Sequence, residues 1–128
     1  MKRAARGRDG TRTPTIELKI RLDLAGIGQI GPGKIELLRQ IRKHRSISAA
    51  ARAMKMSYRR AWLLVDNLNG LFAEPVVEKW LGGTSRGGAA LTPAGERLVA
   101  SYEAVLQRSA EANRTLLNEI LRSAQSAP

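Results

Sequence analysis

Cysteine, histidine and long apolar runs are scarce or absent in this sequence of 128 residues. With no cysteine, disulfide bonds and thiolate metal sites are excluded, and the chain fits a reducing compartment. His44 is the only histidine, so a histidine-based metal site is not expected. No apolar run approaches the roughly 20 residues of a membrane helix, and the basic N-terminus lacks the apolar core of a secretion signal. We therefore expect a cytoplasmic protein that holds no metal or cofactor and enters no membrane.

Acidic residues are half as common as basic ones, with 11 Asp and Glu against 22 Lys and Arg and a net charge of +11. The excess is localised, because residues 1–14 carry +4 and residues 34–60, with nine basic residues and Glu36, carry +8. Residues 15–33 are neutral, and residues 61–128 carry −1. A solubilising surface would spread its charge along the chain. A localised excess is typical of a protein that binds a polyanion.

The first third of the chain predicts an arm, a strand, a loop and a helix. Residues 1–14 are polar and basic and predict a disordered arm, which either follows DNA or is simply a frayed terminus. Apolar and polar residues alternate over 15–24, as in a half-buried strand. Glycines then predict a loop before a helix from about Lys34 to His44, which has an apolar stripe on one side.

The middle of the chain predicts two helices that cross closely. Ser48 is a natural N-cap for a short, alanine-rich helix over residues 49–54, and Ser57 can cap a third helix over residues 57–71. Lys55 lies in the turn between them. Because alanine side chains let a second helix approach, the first turn of the third helix should project outward.

The last third predicts a hairpin and a long helix. Residues 76–91 contain two short strands around a glycine-rich loop. Thr92 then caps a helix that has Pro93 at its first position and spans residues 93–123, while residues 124–128 should fray. Its sustained apolar seam predicts pairing with a second copy, although a helix that folds back on its own domain is the alternative. The seam residues expected at the dimer contact are Leu98, Tyr102, Val105, Leu116 and Ile120.

This order of elements is that of a winged helix-turn-helix, a mainly α fold with a small β-sheet. We assign residues 15–92 to the DNA-binding domain and residues 93–123 to the long dimerisation helix. Helix 57–71 would read base edges in the major groove, and the wing, 76–91, would lie on the backbone or in the minor groove. The residues expected to contact DNA are Ser48, Ser57, Tyr58, Arg59, Arg60, Lys55, Lys79 and Arg86.

The environments of three large apolar residues are each open to two interpretations. Trp62 and Leu63 lie beside the inward stripe of the third helix, and either could touch DNA. For Trp62, packing against the first helix or the wing is favoured. Trp80 on the wing stem either packs on the strand at 15–24 or is exposed, and we favour packing.

Six stretches of the sequence together form a recognisable pattern. They are Gly31-Pro32-Gly33-Lys34-Ile35-Glu36-Leu37-Leu38, Ser46-Ile47-Ser48-Ala49-Ala50-Ala51-Arg52-Ala53-Met54, Met56-Ser57-Tyr58-Arg59-Arg60-Ala61-Trp62, Leu68-Asn69, Glu74-Pro75-Val76-Val77-Glu78 and Leu91-Thr92-Pro93-Ala94-Gly95. These motifs resemble the N-terminal domain of ModE-type molybdate-responsive regulators over roughly residues 16–122. The resemblance implies a dimeric bacterial transcription regulator with a winged helix-turn-helix. Full-length family members carry C-terminal molybdate-binding domains, so molybdate binding is not expected within these 128 residues. Lys55 stands where related motifs often have glycine.

The sequence disfavours some functions other than sequence-specific DNA binding and leaves two alternatives open. The sequence shows no paired acid and base, no nucleophile with a partner and no metal cluster, so an enzyme is not expected. The glycine-rich loop lacks the Gly-Lys-Ser/Thr ending of a nucleotide-binding loop. A nucleoid or RNA-binding protein without sequence preference remains an alternative. A protein-interaction module that uses the fold as scaffold is another.

Overall fold

The computed structural model describes residues 13–81 and 87–124. The chain divides into two compact units. One is Lys19–Ala104, and the other contains the described residues 13–18 and 105–124. We describe each unit by itself.

The core of the first unit is built on α1, Pro32–His44, with α2, Ile47–Ala53, and α3, Tyr58–Leu71, against it. Proline suits the first position of α1, because its missing N–H would have no partner in the helix there. Helices α2 and α3 contact each other, and Ala50, Ala51 and Ala61 are almost fully buried, as the predicted crossing of two helices requires. The core contains Ile35, Leu37, Leu38, Ile41, Ala50, Ala51, Ala61, Val65 and Leu68.

The predicted strand at 15–24 forms only in its last three residues, so most of that prediction was wrong. Strand β1, Leu22–Leu24, pairs antiparallel with β2, Gly28–Ile30. The described residues before β1, 13–21, form no strand. The carbonyl oxygen of Ile20 instead accepts a hydrogen bond of 2.5 Å from the hydroxyl of Tyr102.

The N-cap of α2 is Ser46, and the prediction of Ser48 was wrong. The Ser46 Oγ accepts a hydrogen bond of 3.0 Å from the backbone N–H of Ala49, so α2 begins two residues earlier than expected. Ser48 lies inside the helix, where its Oγ accepts a hydrogen bond of 3.1 Å from Arg52. The turn after α2 contains Lys55 in the left-handed region, with φ 57°.

The predicted hairpin is confirmed by two paired strands, β3, Val77–Trp80, and β4, Gly88–Leu91. They pair antiparallel, with Trp80 opposite Gly88. Its predicted tip residue, Arg86, lies outside the described residues. We call this hairpin the wing.

The wing is joined to the next helix, α4, Pro93–Ala112, by tight backbone contacts. The Thr92 Oγ1 accepts a hydrogen bond of 3.0 Å from the N–H of Gly95, which confirms the predicted cap, and donates one of 2.7 Å to the Pro75 carbonyl. A side chain at Gly95 would place its Cβ 2.1 Å from the Val76 carbonyl oxygen. Only glycine permits this approach of the helix to the start of the wing.

The predicted helix over residues 93–123 is interrupted, because α4 ends at Ala112 and α5 spans Arg114–Ser123. Asn113 lies between them, and its side-chain amide donates a hydrogen bond of 2.8 Å to the Ser109 carbonyl. The backbone N–H of Asn113 still donates to the same carbonyl at 3.1 Å, so the interruption lies in the backbone angles of Asn113, φ −109° and ψ 17°. The apolar seam does not reveal this break, because its spacing continues on both sides.

Candidate nucleic-acid interface

The start of α3 is fixed by its cap and presents polar side chains to solvent. The Ser57 Oγ accepts a hydrogen bond of 3.0 Å from the N–H of Arg60, as an N-cap does. Tyr58 is 55% exposed, and Arg59 and Arg60 are also exposed. The helix therefore begins where the sequence predicted, with two guanidinium groups in its first turn.

A shallow depression of about 550 Å³ lies beside this first turn, lined by Arg59 and Arg60. Lys34 of α1 contributes a third cation to it. The Lys34 Nζ donates hydrogen bonds of 2.8 Å to the Gln29 carbonyl and 2.9 Å to the Asn67 Oδ1. Sequence reasoning did not place Lys34 in the site, because nothing in the local sequence signals a partner 33 positions away.

The wing stem contacts α3 through a cation and an aromatic ring. The Nζ of Lys79 lies 4.3 Å from the centroid of the Trp62 ring. Such a pair stabilises by about 0.5–1 kcal/mol at an exposed site. This contact confirms the interpretation that Trp62 packs against the wing, and it joins the wing stem to α3.

Arg45 at the end of α1 also contacts the wing, through its backbone carbonyl and its guanidinium group. It has left-handed backbone, with φ 55°, and its carbonyl accepts a hydrogen bond of 3.2 Å from the Ala89 N–H. Its guanidinium carbon lies 5.9 Å from the centroid of the Trp80 ring. A Cβ at Gly88 would lie 2.5 Å from that ring, so the indole covers the glycine. Trp80 is nevertheless 41% exposed.

A groove of about 410 Å³ runs between the start of α2, α3 and the wing. Ser48, Tyr58 and Lys79, all predicted site residues, line it together with Trp62 and Trp80. Ser57, Arg59 and Arg60 line the neighbouring depression, and Lys55 is exposed on the turn before α3. Of the predicted site, only Arg86 lies outside the described residues.

Two of the nine cations between residues 34 and 60 are paired with acidic side chains of α4. Arg39 donates to Glu103 at 2.7 Å and to Glu36 at 2.9 Å, and Arg42 donates to Glu96 at 3.0 Å. These two arginines therefore do not belong to the cationic surface that the sequence suggested. The ion pairs formed within the described residues do not include Arg59, Arg60 or Lys55.

The paired cluster shifts the titration of its own members. A hydrogen bond from Gln40 lowers the pKa of Glu36, burial opposes this shift, and Arg39 adds to it. Burial alone would lower the pKa of Arg39, but its hydrogen bonds to Glu103 and Glu36 outweigh burial and raise it. Both groups are therefore held in their charged forms by structural contacts.

The residues predicted for dimer contact have different environments. Tyr102 is 3% exposed and donates a hydrogen bond within its own unit, so we leave it out of the proposed contact. Leu98 is half-buried. Val105, Leu116 and Ile120 are exposed.

Within residues 13–81 and 87–124, no helix is long and apolar enough to span a bilayer. Within the same residues, no group of three or more His, Cys, Asp or Glu side chains is placed to hold a metal ion.

The family model described as "Bacterial regulatory helix-turn-helix protein, lysR family" matches residues 33–96, which contain α1 to α3 and the described wing. The chain belongs to this family. The match covers the elements that carry the exposed first turn of α3 and the wing.

Curated relatives are similar to this chain over stretches of 72 to 77 residues. The molybdenum-pterin-binding protein MopB of Rhodobacter capsulatus is 48% identical over 77 residues, 60% of this chain and 28% of that protein. The molybdenum transport protein ModE of Azotobacter vinelandii is 42% identical over 72 residues, 56% of this chain and 27% of that protein. The DNA-binding transcriptional dual regulator ModE of Escherichia coli K12 is 38% identical over 76 residues, 59% of this chain and 29% of that protein.

The chain thus spans less than a third of the length of these relatives. Within this span the comparisons show a helix-turn-helix of the lysR family that is similar to the N-terminal part of ModE proteins.

Proposed function

We propose that the chain binds duplex DNA at preferred sequences and thereby regulates transcription. Helix α3 lies in the major groove, and the wing lies on the sugar-phosphate backbone or in the minor groove. The observation that carries this proposal is the capped, exposed first turn of α3, with Arg59 and Arg60 outside the described ion pairs. A wing whose stem contacts that helix through Lys79 and Trp62 supports it.

The side chains divide between base contacts and phosphate contacts. A guanidinium group can donate two parallel hydrogen bonds to O6 and N7 of guanine, so Arg59 and Arg60 give specificity. Ser48, Ser57 and Tyr58 offer hydroxyl groups to phosphate oxygens, and Lys55 and Lys79 offer ammonium groups. We add Lys34, because it shares the depression with both arginines.

The second part of the proposal is a homodimer formed through the C-terminal helices. On α5, Leu116 is 60% exposed and Ile120 is 59% exposed, four residues apart and therefore on one face. Val105 on α4 is exposed as well. Two copies joined by these faces would present two α3 helices to two half-sites of an operator.

Selection of bound duplexes from a random DNA pool tests the sequence preference. We expect a recurrent motif containing guanine, steep loss of affinity with salt, and a loss of about 1–3 kcal/mol of binding free energy for Arg59→Ala or Arg60→Ala. Arg97→Ala is the matched control and should bind normally, because Arg97 pairs with Glu74 at 3.4 Å. Binding without any motif would identify a nucleoid-type protein, and no binding at low salt would favour a protein-interaction module.

The same assay tests whether molybdate matters to this chain. MopA and MopB are named for binding molybdenum-pterin, and the chain matches 31% and 28% of them, respectively. We propose that the matched part binds DNA and does not itself bind molybdate. Affinity measured with and without molybdate should be equal, and a difference would contradict this part of the proposal.

A further inference from the structure

We infer that Leu63 determines specificity by contacting the 5-methyl group of a thymine in the major groove. This inference rests on the proposed function, because it requires α3 to lie in that groove. The starting observation is that Leu63 is 51% exposed. The buried stripe of the same helix contains Ala61, Val65 and Leu68 instead, so the core does not need this side chain.

Leu63 lies within the cationic surface of α3, not at its margin. It lines the depression that contains Lys34, Arg59 and Arg60, and it also lines a second depression, with Tyr58 and Trp62 as neighbours. An apolar side chain that is exposed among charged groups makes no favourable contact with water. Its burial becomes favourable when the bound surface has an apolar group at the same place.

The chemistry of the major groove offers one such group on unmodified DNA. Adenine, guanine and cytosine present hydrogen-bond donors and acceptors at their exposed edges, whereas thymine also presents the methyl group at C5. A leucine that extends from α3 toward the bases thus selects thymine by burying this methyl group.

Helix geometry places the thymine close to the guanine that Arg59 would bind. Arg59 and Leu63 are four residues apart and project from one face, about 6 Å apart along the helix axis. Base pairs are about 3.4 Å apart along each strand. The structure therefore predicts a thymine within about two base pairs of that guanine.

Replacement of thymine by deoxyuridine isolates the methyl group, because the two bases have the same hydrogen-bonding edges. Each thymine of the selected duplex motif is replaced in turn, and affinity is measured with the full chain. We expect one position near the guanine to lose about fourfold in affinity, the effect of one buried methyl group.

Variants of Leu63 then assign this effect to its side chain. Leu63→Ala should bind thymine and deoxyuridine equally at that position, while Leu63→Met should keep part of the preference. Ile27→Ala is the matched control, because Ile27 is an exposed apolar residue of the β1–β2 turn, and it should keep the full fourfold difference. Circular dichroism checks that each variant is folded.

The outcomes separate this inference from the proposed function. DNA binding with a motif but without any deoxyuridine effect overturns the role of Leu63 and leaves the proposed function intact. A methyl preference that persists in Leu63→Ala also overturns it. Failure of the unmodified chain to bind duplex DNA overturns the proposed function, and this inference with it.

Discussion

Among the described residues of the first unit, two that are not glycine hold left-handed backbone, and both lie beside the proposed interface. Lys55, with φ 57°, forms the turn between α2 and α3, and Arg45, with φ 55°, ends α1 under the wing. For a residue with a Cβ, this conformation costs about 1–2 kcal/mol. Since glycine would avoid that cost, a positive charge is present at each turn at the expense of local stability.

Variants of Lys55 separate the effect of its charge on DNA binding from the effect of its left-handed backbone on stability. Lys55→Gly and Lys55→Ala both remove the charge, so both should weaken DNA binding and flatten its salt dependence equally. Only glycine relieves the backbone, and after the greater flexibility of its unfolded chain is allowed for, it should be more stable than the alanine variant by about 0.5–1 kcal/mol. Denaturant unfolding compares the stabilities, and an alanine variant as stable as the glycine variant would contradict the argument.

Individual residues also show the limit of local sequence signals. Ser57 was correctly predicted as a cap, because it is the one serine between the turn and the apolar stripe of α3. Before α2, Ser46 and Ser48 both fit the pattern, and the choice between them depends on how α1 ends. The role of Lys34 depends on Asn67, 33 residues away, which no local pattern encodes.

At the scale of elements, the wing is held to α3 by the side-chain amide of Asn69. Its Oδ1 accepts hydrogen bonds of 2.8 Å from the Val76 N–H and 3.0 Å from the Val77 N–H, and its Nδ2 donates one of 3.0 Å to the Val77 carbonyl. These bonds satisfy the first backbone groups of β3. The side chain of Asn69 therefore joins α3 directly to the start of the wing.

The contact between α4 and the start of the wing gives a prediction at this scale. Gly95→Ala would place a methyl group against the Val76 carbonyl, so we expect a loss of about 1–3 kcal/mol of stability. Gly70→Ala is the matched control, since a Cβ at Gly70 in α3 meets nothing within 4 Å, and alanine should stabilise that helix by about 0.5–1 kcal/mol.

Thermal or denaturant unfolding of both variants measures the difference. Equal stabilities of Gly95→Ala and the unmodified chain would show that the helix and the wing can separate without cost.

The elements themselves were predictable where the signal is local. Helix α3 has both an apolar stripe and a capping serine, and its prediction was confirmed. Helix α1 was predicted from its apolar stripe, and it begins at Pro32 instead of Lys34. The alternation at 15–24 predicted most of the shielded side chains, because Leu18, Ile20, Leu22 and Leu24 are half-buried, whereas Ile16, expected on the same side, is exposed. It could not predict the strand, since a ladder also needs a partner, and β2 contains three residues.

At the scale of the whole molecule, folding divides the positive charge into two groups. Arg39 and Arg42 pair with acids of α4 that follow them by 64 and 54 residues. Lys34, Arg59 and Arg60 gather at the depression beside α3. The sequence predicted the excess of charge correctly, but which cations face a partner depends on contacts between distant segments.

Substitutions on α5 test the proposed homodimer. Leu116→Asp combined with Ile120→Asp should convert the proposed dimer to a monomer in sedimentation, because the substitutions place carboxylates in the apolar contact of α5. The variant should lose affinity for DNA with two half-sites but bind a single half-site normally. Ile27→Asp is the control at an exposed apolar position and should sediment like the unmodified chain.

An unmodified chain that sediments as a monomer at micromolar concentration would contradict the proposed homodimer.

The pairing of Trp62 with Lys79 and of Trp80 with Arg45 has a spectroscopic consequence. These are the two tryptophans of the chain, and both line the groove between α2 and the wing. All intrinsic indole emission therefore originates at the surface proposed to meet DNA. A DNA phosphate that draws Lys79 or Arg45 from its ring would alter that emission. Tryptophan fluorescence of the unlabelled protein would therefore report DNA binding.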